Sequence, residues 1–181
     1  MDIYQMFSTY TGTWTGHEIV CFLMIFAVAH YLLCQGKIVW SQAVAGLLMA
    51  VFLEIVFGSI VVTRIPDEVH RYNLEVFWSW RAVFHGDWRI AKEIILNIFL
   101  LIPTGMLLPF MLNRKLSWIK GLSAGIIVSA VIETCQLIFC RGLFDWDDMI
   151  HNGIGCMFGS MVSNALLSVI EYKGSDPGKK K

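Results

Sequence analysis

Residues 116–140 read LSWIKGLSAGIIVSAVIETCQLIFC. Lys120 and Glu133 are the acidic or basic side chains in this stretch. A helix needs about 20 mostly apolar residues to cross a hydrocarbon core about 30 Å thick. The stretch is long enough, so it reads as a membrane-spanning helix. Outward from it, residues 18–34, 38–62, 94–112 and 149–170 meet the same description. The sequence thus predicts an all-α, polytopic transmembrane helix bundle of about five spans. Pro103 and Gly105 interrupt the third, where a kink is expected.

Composition points the same way. Of 181 residues, 56% are hydrophobic and 15% charged, with a mean hydropathy of +0.62. Soluble domains usually carry about 25% charged residues. Such a chain is too apolar to be disordered. Fourteen basic and fourteen acidic residues cancel, so no net field attracts nucleic acid, and none is expected as a partner. Five cysteines lie in or beside apolar runs without a C-x-x-C pair, which argues for buried thiols rather than zinc or disulfides. Residues 1–16 carry no Lys or Arg, so no cleaved signal peptide is expected. The chain thus divides into an extracytoplasmic segment over 1–17, a single transmembrane domain over 18–170, and a cytoplasmic tail over 171–181.

Between the second and third spans, residues 63–93 mix balanced charge with Tyr72, Phe77, Trp78, Trp80, Phe84 and Trp88. Aromatics among charges suit the headgroup layer, so this segment is expected to be interfacial and partly helical. Lys37, Arg114, Lys115, Lys120 and the lysines of the tail fall on one side of a five-span chain. By the positive-inside rule that side is cytoplasmic. The N-terminus and residues 63–93 are then outside.

Ionisable groups within spans are expensive and mark function. Glu133 and Gln136, three residues apart, share a helix face with Ser129. Glu133 precedes Arg141 by eight residues, about 12 Å at 1.5 Å per residue, so it lies below the outer end of its span. Glu54 lies at similar depth, and Asn97, Asp148 and Asn152 near the same side. An outward-facing polar pocket is expected. Gly121, Gly125 and Ser129, and again Gly155, Gly159 and Ser163, are spaced for close helix packing, with homodimerisation as a second use.

The densest constellation is Glu133-x-x-Gln136-x4-Arg141-x3-Asp145-x2-Asp148-x3-Asn152. Acids at 145, 147 and 148 also suit a helix N-terminus, so capping competes with function there. Arginine fits the forked geometry of phosphate or carboxylate, and Arg64, Arg71, Arg81 and Arg141 reach the outer headgroup level. Buried carboxylates can act as acid or base, which nominates Glu133, Asp145 and Asp148. No compact metal-ligand signature appears, and neither a metal nor a cofactor is expected. His151 adjoins the acids but should point away from Asn152. No serine stands in an elbow motif.

Four segments resemble the VanZ-like family. Residues 71–77, RYNLEVF, resemble its R-x-N-L-x-P-F element, with Val76 in place of Pro. Residues 97–105, NIFLLIPTG, resemble N-x-x-x-F-x-P-x-G, with Leu101 in place of Phe. Residues 132–136, IETCQ, resemble I-E-x-x-Q, and residues 141–155 resemble R-x3-D-x2-D-x3-N-x2-G. The resemblance covers 71–159 and implies a small polytopic protein of the bacterial cell envelope, whose namesake is associated with resistance to the glycopeptide teicoplanin. It picks out Asn73, Asn97, Glu133, Gln136, Arg141, Asp145, Asp148 and Asn152, and adds Arg71.

The leading expectation is a binding protein whose pocket holds an anionic lipid headgroup or lipid-linked wall precursor. Arg71, Asn73, Asn97, Gln136, Arg141 and Asn152 would then be ligand contacts. An intramembrane enzyme using Glu133, Asp145 and Asp148 as acid/base is the alternative. A small transporter using Glu54 and Glu133 is a third, and a structural bundle a fourth.

Overall fold

The computed structural model describes residues 16–174. Helix α1 covers Gly16–Cys34 and α2 covers Trp40–Phe57, continued by a π-helical turn, Gly58–Val62. A short strand β1 (Arg71–Asn73) precedes α3 (Trp78–Phe84) and α4 (Trp88–Leu100). Then come α5 (Ile102–Met111), α6 (Trp118–Ile138), β2 (Leu143–Asp145) and α7 (Trp146–Gly174). The helices α7, α6, α5 and α4 pack together around α7, α2 packs on α5, and α1 on α2.

Among the described residues, Trp40–Val62, Trp88–Met111 and Trp118–Ile138 are long and apolar enough to cross a membrane. The apolar part of α1, Val20–Cys34, is shorter. Large apolar side chains are widely exposed on these helices, among them Leu23, Leu48, Ile95, Phe99, Ile127 and Val131. Hydrocarbon, unlike water, tolerates such a surface. The interior includes many polar groups: Ser59, Thr104, Ser129, Ser160, Ser163 and Asn152 are all buried. An apolar cluster of Val56, Ile60, Val61 and Ile132 joins α2 and its π-turn to α6.

Three local features depart from expectation. The chain is not purely helical: β1 and β2 form a two-stranded parallel pair, with Arg71 opposite Leu143, Tyr72 opposite Phe144 and Asn73 opposite Asp145. The third apolar helix begins at Trp88 rather than 94, because Asp87 caps it by accepting the Arg89 amide at 3.0 Å. The expected kink is a restart at Leu101, with Pro103 in the first turn of α5, where its missing N–H costs nothing.

Helix α7 starts at Trp146, three residues before the expected span. Asp145 acts as its cap, accepting the Asp147 amide at 2.9 Å. The small-residue stripes are both used within the chain, the first against one face of α7 and the second, on α7 itself, against α4 and α5. Gly121 and Gly125 face Ser160 and Cys156 of α7, and Asn152 donates to Ser129 Oγ at 2.8 Å. At Gly155 a Cβ would overlap the Ile98 carbonyl, so α4 and α7 are in backbone contact there.

Candidate functional site

The connections 63–87 and 139–145 meet at one end of the bundle, held by the β1–β2 pair. Between them and the ends of α4 and α6 lies a cavity of about 360 Å³. Its walls are Ile60, Arg64, Trp78, Glu93, Leu96, Asn97, Leu100, Gln136, Leu143, Asp145 and Asp148. The local reasons for this convergence are visible in sequence. Glu93, Leu96, Asn97 and Leu100 are i, i+3, i+4 and i+7 on α4, one helical face. Gln136 lies one turn beyond Glu133 on α6. Asp145 enters from the end of β2 and Asp148 from the first turn of α7.

A hydrogen-bond chain fixes the acidic side. Glu133 is buried on α6, and its Oε2 accepts the Asp145 amide at 3.1 Å. Asp145, also buried, accepts the Trp78 indole N–H at 2.7 Å through Oδ2. Asn97 donates its side-chain amide to Asp148 Oδ1. Burial raises the pKa of the Asp145 carboxyl above the ordinary carboxylate range, and the Asp147 charge adds to this. The Asp147 amide and the Trp78 indole oppose it.

Arg64 and Gln136 come together beside Gly142. Arg64 Nη1 and Gln136 Oε1 each lie 2.8 Å from the point where a Cβ on Gly142 would stand, which explains a glycine there. The cavity walls therefore carry a guanidinium, an amide, three acidic side chains and an indole.

Not every expected site residue reaches it. Asn97, Gln136, Asp145 and Asp148 line the cavity, and Glu133 lies behind Asp145. Arg141 is turned away: its guanidinium donates to the carbonyls of Val61 and Val62, closing the C-terminal end of the π-turn. Arg71 is exposed and pairs with Asp67 at 3.6 Å. Asn73 accepts the Glu75 amide at 3.1 Å in a local turn. Asn152 is not among the cavity walls and donates its NH2 to Ser129.

Other residues matter that sequence spacing did not single out. Asp147 accepts the amides of Phe77 at 2.5 Å and Ser79 at 3.0 Å, and the Ser79 hydroxyl at 2.5 Å. It thereby anchors the loop that carries Trp78. Its position beside Asp145 and Asp148 is the signal available in sequence, and that signal fits a simple helix cap equally well. Trp78 stood among many aromatics, and Glu93 among balanced charges.

His151 is 1% exposed and packs against Trp80 with ring centroids 5.8 Å apart. Among the described residues neither ring nitrogen has a hydrogen-bond partner. The ring therefore acts as an apolar filler whose polar atoms cost free energy. His151→Phe is expected to raise stability by about 1 kcal/mol, read as a higher melting temperature in detergent. A lower one would show that the imidazole bonds a group in the folded protein.

Among the described residues no group of three or more His, Cys, Asp or Glu side chains is placed to hold a metal ion. A family model described as VanZ/LLP1 matches residues 56–167, more than half of the chain. No curated protein and no solved structure matches.

Proposed function

This chain belongs to the VanZ/LLP1 family, and from that premise we propose that it is a multi-pass protein of the bacterial cell membrane that binds a phosphate-bearing lipid headgroup or lipid-linked wall precursor. The observation that carries this reading is the cavity itself. It sits at the end of apolar helices, and it pairs Arg64 and Gln136 with an apolar wall of Ile60, Leu96, Leu100 and Leu143. A guanidinium and an amide suit phosphate oxygens, and the apolar wall suits the first carbons of the lipid behind its headgroup.

Five spans, formed by α1, α2, α4 with α5, α6 and α7, place the N-terminus outside and the tail in the cytoplasm. The strand pair supports this parity, because β1 and β2 belong to the two connections that a five-span chain leaves on one face. The short connections bearing Lys37, Arg114 and Lys115 then face the cytoplasm. The exposed Phe77, Phe84 and Trp88 suit a segment resting in the outer headgroup layer. Retention of a lipid-linked wall precursor at this site is the route by which such a protein would contribute to teicoplanin resistance.

In this reading Glu133 is a positioning residue, since its carboxylate holds the Asp145 amide and is not among the cavity walls. Native mass spectrometry of the purified protein with its co-purifying lipids tests the reading. Wild type should retain phospholipid. Arg64→Gln should weaken retention about tenfold, the loss of one charge-assisted bond. Arg141→Ala should keep it at the wild-type level. A wild-type protein that retains no phosphate-bearing lipid would overturn the proposal.

A further inference from the structure

We infer that the headgroup held in this cavity carries a primary ammonium beside its phosphate, making the site one for a zwitterion of the phosphoethanolamine type. This rests on the binding function proposed above and narrows its ligand. The cavity walls hold the carboxylates of Glu93, Asp145 and Asp148 against the guanidinium of Arg64. The acidic side chains outnumber the basic one three to one. The other arginines near this end have partners elsewhere: Arg141 the Val61 and Val62 carbonyls, Arg71 Asp67, Arg81 Glu75 and Arg89 Asp87. A guest bearing only negative charge would meet one favourable contact and several repulsive ones.

The acids also lack what like charges need. Glu93 and Asp148 stand close enough to interact electrostatically. Asn97 satisfies one oxygen of Asp148. Among the described residues no cationic side chain forms an ion pair with either carboxylate. Two carboxylates facing one cavity without a counter-ion leave room for a cation from the guest. Because no three-ligand metal group is present among the described residues, an organic cation fits better than a metal ion. Trp78 strengthens the case, since an indole beside carboxylates attracts an ammonium through its ring face. A primary ammonium has three N–H donors for the acids, and a quaternary one has none. Arg64 with Gln136 suits a phosphate, and the acids that line the same cavity suit an amine.

The test uses the full chain in detergent, titrated with phosphatidylethanolamine, phosphatidylglycerol and phosphatidylcholine of identical acyl chains, with binding read by native mass spectrometry. Phosphatidylethanolamine should bind about fivefold more tightly than phosphatidylglycerol, the scale of one partly exposed ion pair. Phosphatidylcholine should gain nothing over phosphatidylglycerol. Glu93→Gln should bring the ethanolamine-to-glycerol ratio to about one. Glu93 is exposed, so this variant keeps its fold, whereas Asp148→Asn disturbs the Asn97 bond and serves as a second measurement. Arg64→Gln should weaken both lipids alike.

Equal or tighter binding of phosphatidylglycerol by the wild type would overturn this inference and leave the phosphate-binding function standing. Phosphatidylcholine equal to phosphatidylethanolamine would overturn the primary ammonium. Failure of every phosphate lipid to bind would overturn the proposed function itself. Soluble phosphoethanolamine that displaces the lipid at equal concentration would support a free phosphoamine as guest, and failure to displace it would support the lipid.

Discussion

Gly155→Val is expected to leave little or no folded protein. A Cβ at position 155 would overlap the carbonyl oxygen and carbon of Ile98. Both collision partners are main chain, so no rotamer change relieves the overlap. Helix α7 would have to move away from α4, and the Asn97–Asp148 bond joins the same two helices. Overpacking relieved by side-chain shifts typically costs about 1–3 kcal/mol, and this clash exceeds it because two helices must separate. A domain is stable by only about 5–15 kcal/mol. Yield and monodispersity on size exclusion in detergent, followed by a thermal melt, give the readout. Gly46→Ala is the matched control, since its new Cβ would meet only the flexible Met111 Cγ at 3.9 Å. Wild-type yield and melting for Gly155→Val would show that the two backbones are not in contact.

That contact illustrates which parts of the fold can be read from residues alone. Hydrophobic runs locate the helices because burial in hydrocarbon needs only length and composition. The stretch 116–140 and the helix α6 over Trp118–Ile138 nearly coincide for that reason. Small residues at spacing four mark packing faces, although spacing does not say which helix they meet. The costly polar groups Glu133, Gln136, Asn97, Asp145 and Asp148 stand out because apolar neighbours surround them or because they open a helix. A five-span reading of the sequence predicts them near one end, and the structure brings them together there.

What is not legible is pairing at a distance. Strands β1 and β2 have three residues each, too few for an alternation of polar and apolar positions to show. Their partners lie about seventy residues apart, and no local pattern encodes that. Arg141 illustrates a different failure. Its charge and its place near the acids suggest a ligand contact, yet the nearest acceptors are the unpaired carbonyls that a π-helical turn leaves at its end. Residue type announces that an arginine will find acceptors, and only the fold decides whose they are. Arg64 is the converse: it lies just past the same turn and faces the cavity.

Asp147→Ala should be the most damaging single change among the carboxylates at this end of the molecule. Its side chain gathers three donors from a segment about seventy residues away: the Phe77 amide, the Ser79 amide and the Ser79 hydroxyl. Asp147 and Ser79 are both buried, so water does not replace the lost acceptor freely. Each buried donor left without a partner costs about 1–3 kcal/mol. Phe77 adds to the penalty, because its φ of 63° lies in the left-handed region that non-glycine residues avoid. The bond from its amide to Asp147 helps to hold that conformation. Trp78, between the two anchored residues, loses its position over the cavity together with its bond to Asp145. The expected result is a loss of at least about 3 kcal/mol. It should be joined by faster amide exchange over 77–84 while α6 and the body of α7 stay protected. Asp147→Asn keeps one acceptor oxygen but turns an NH2 group toward the donors, so it should fall between wild type and alanine. Ser79→Ala combined with Asp147→Ala should cost less than the sum of the two, since each removes the same bond. Unchanged exchange over 77–84 in Asp147→Ala would mean that this loop is held by something other than the aspartate, and the cavity wall with it.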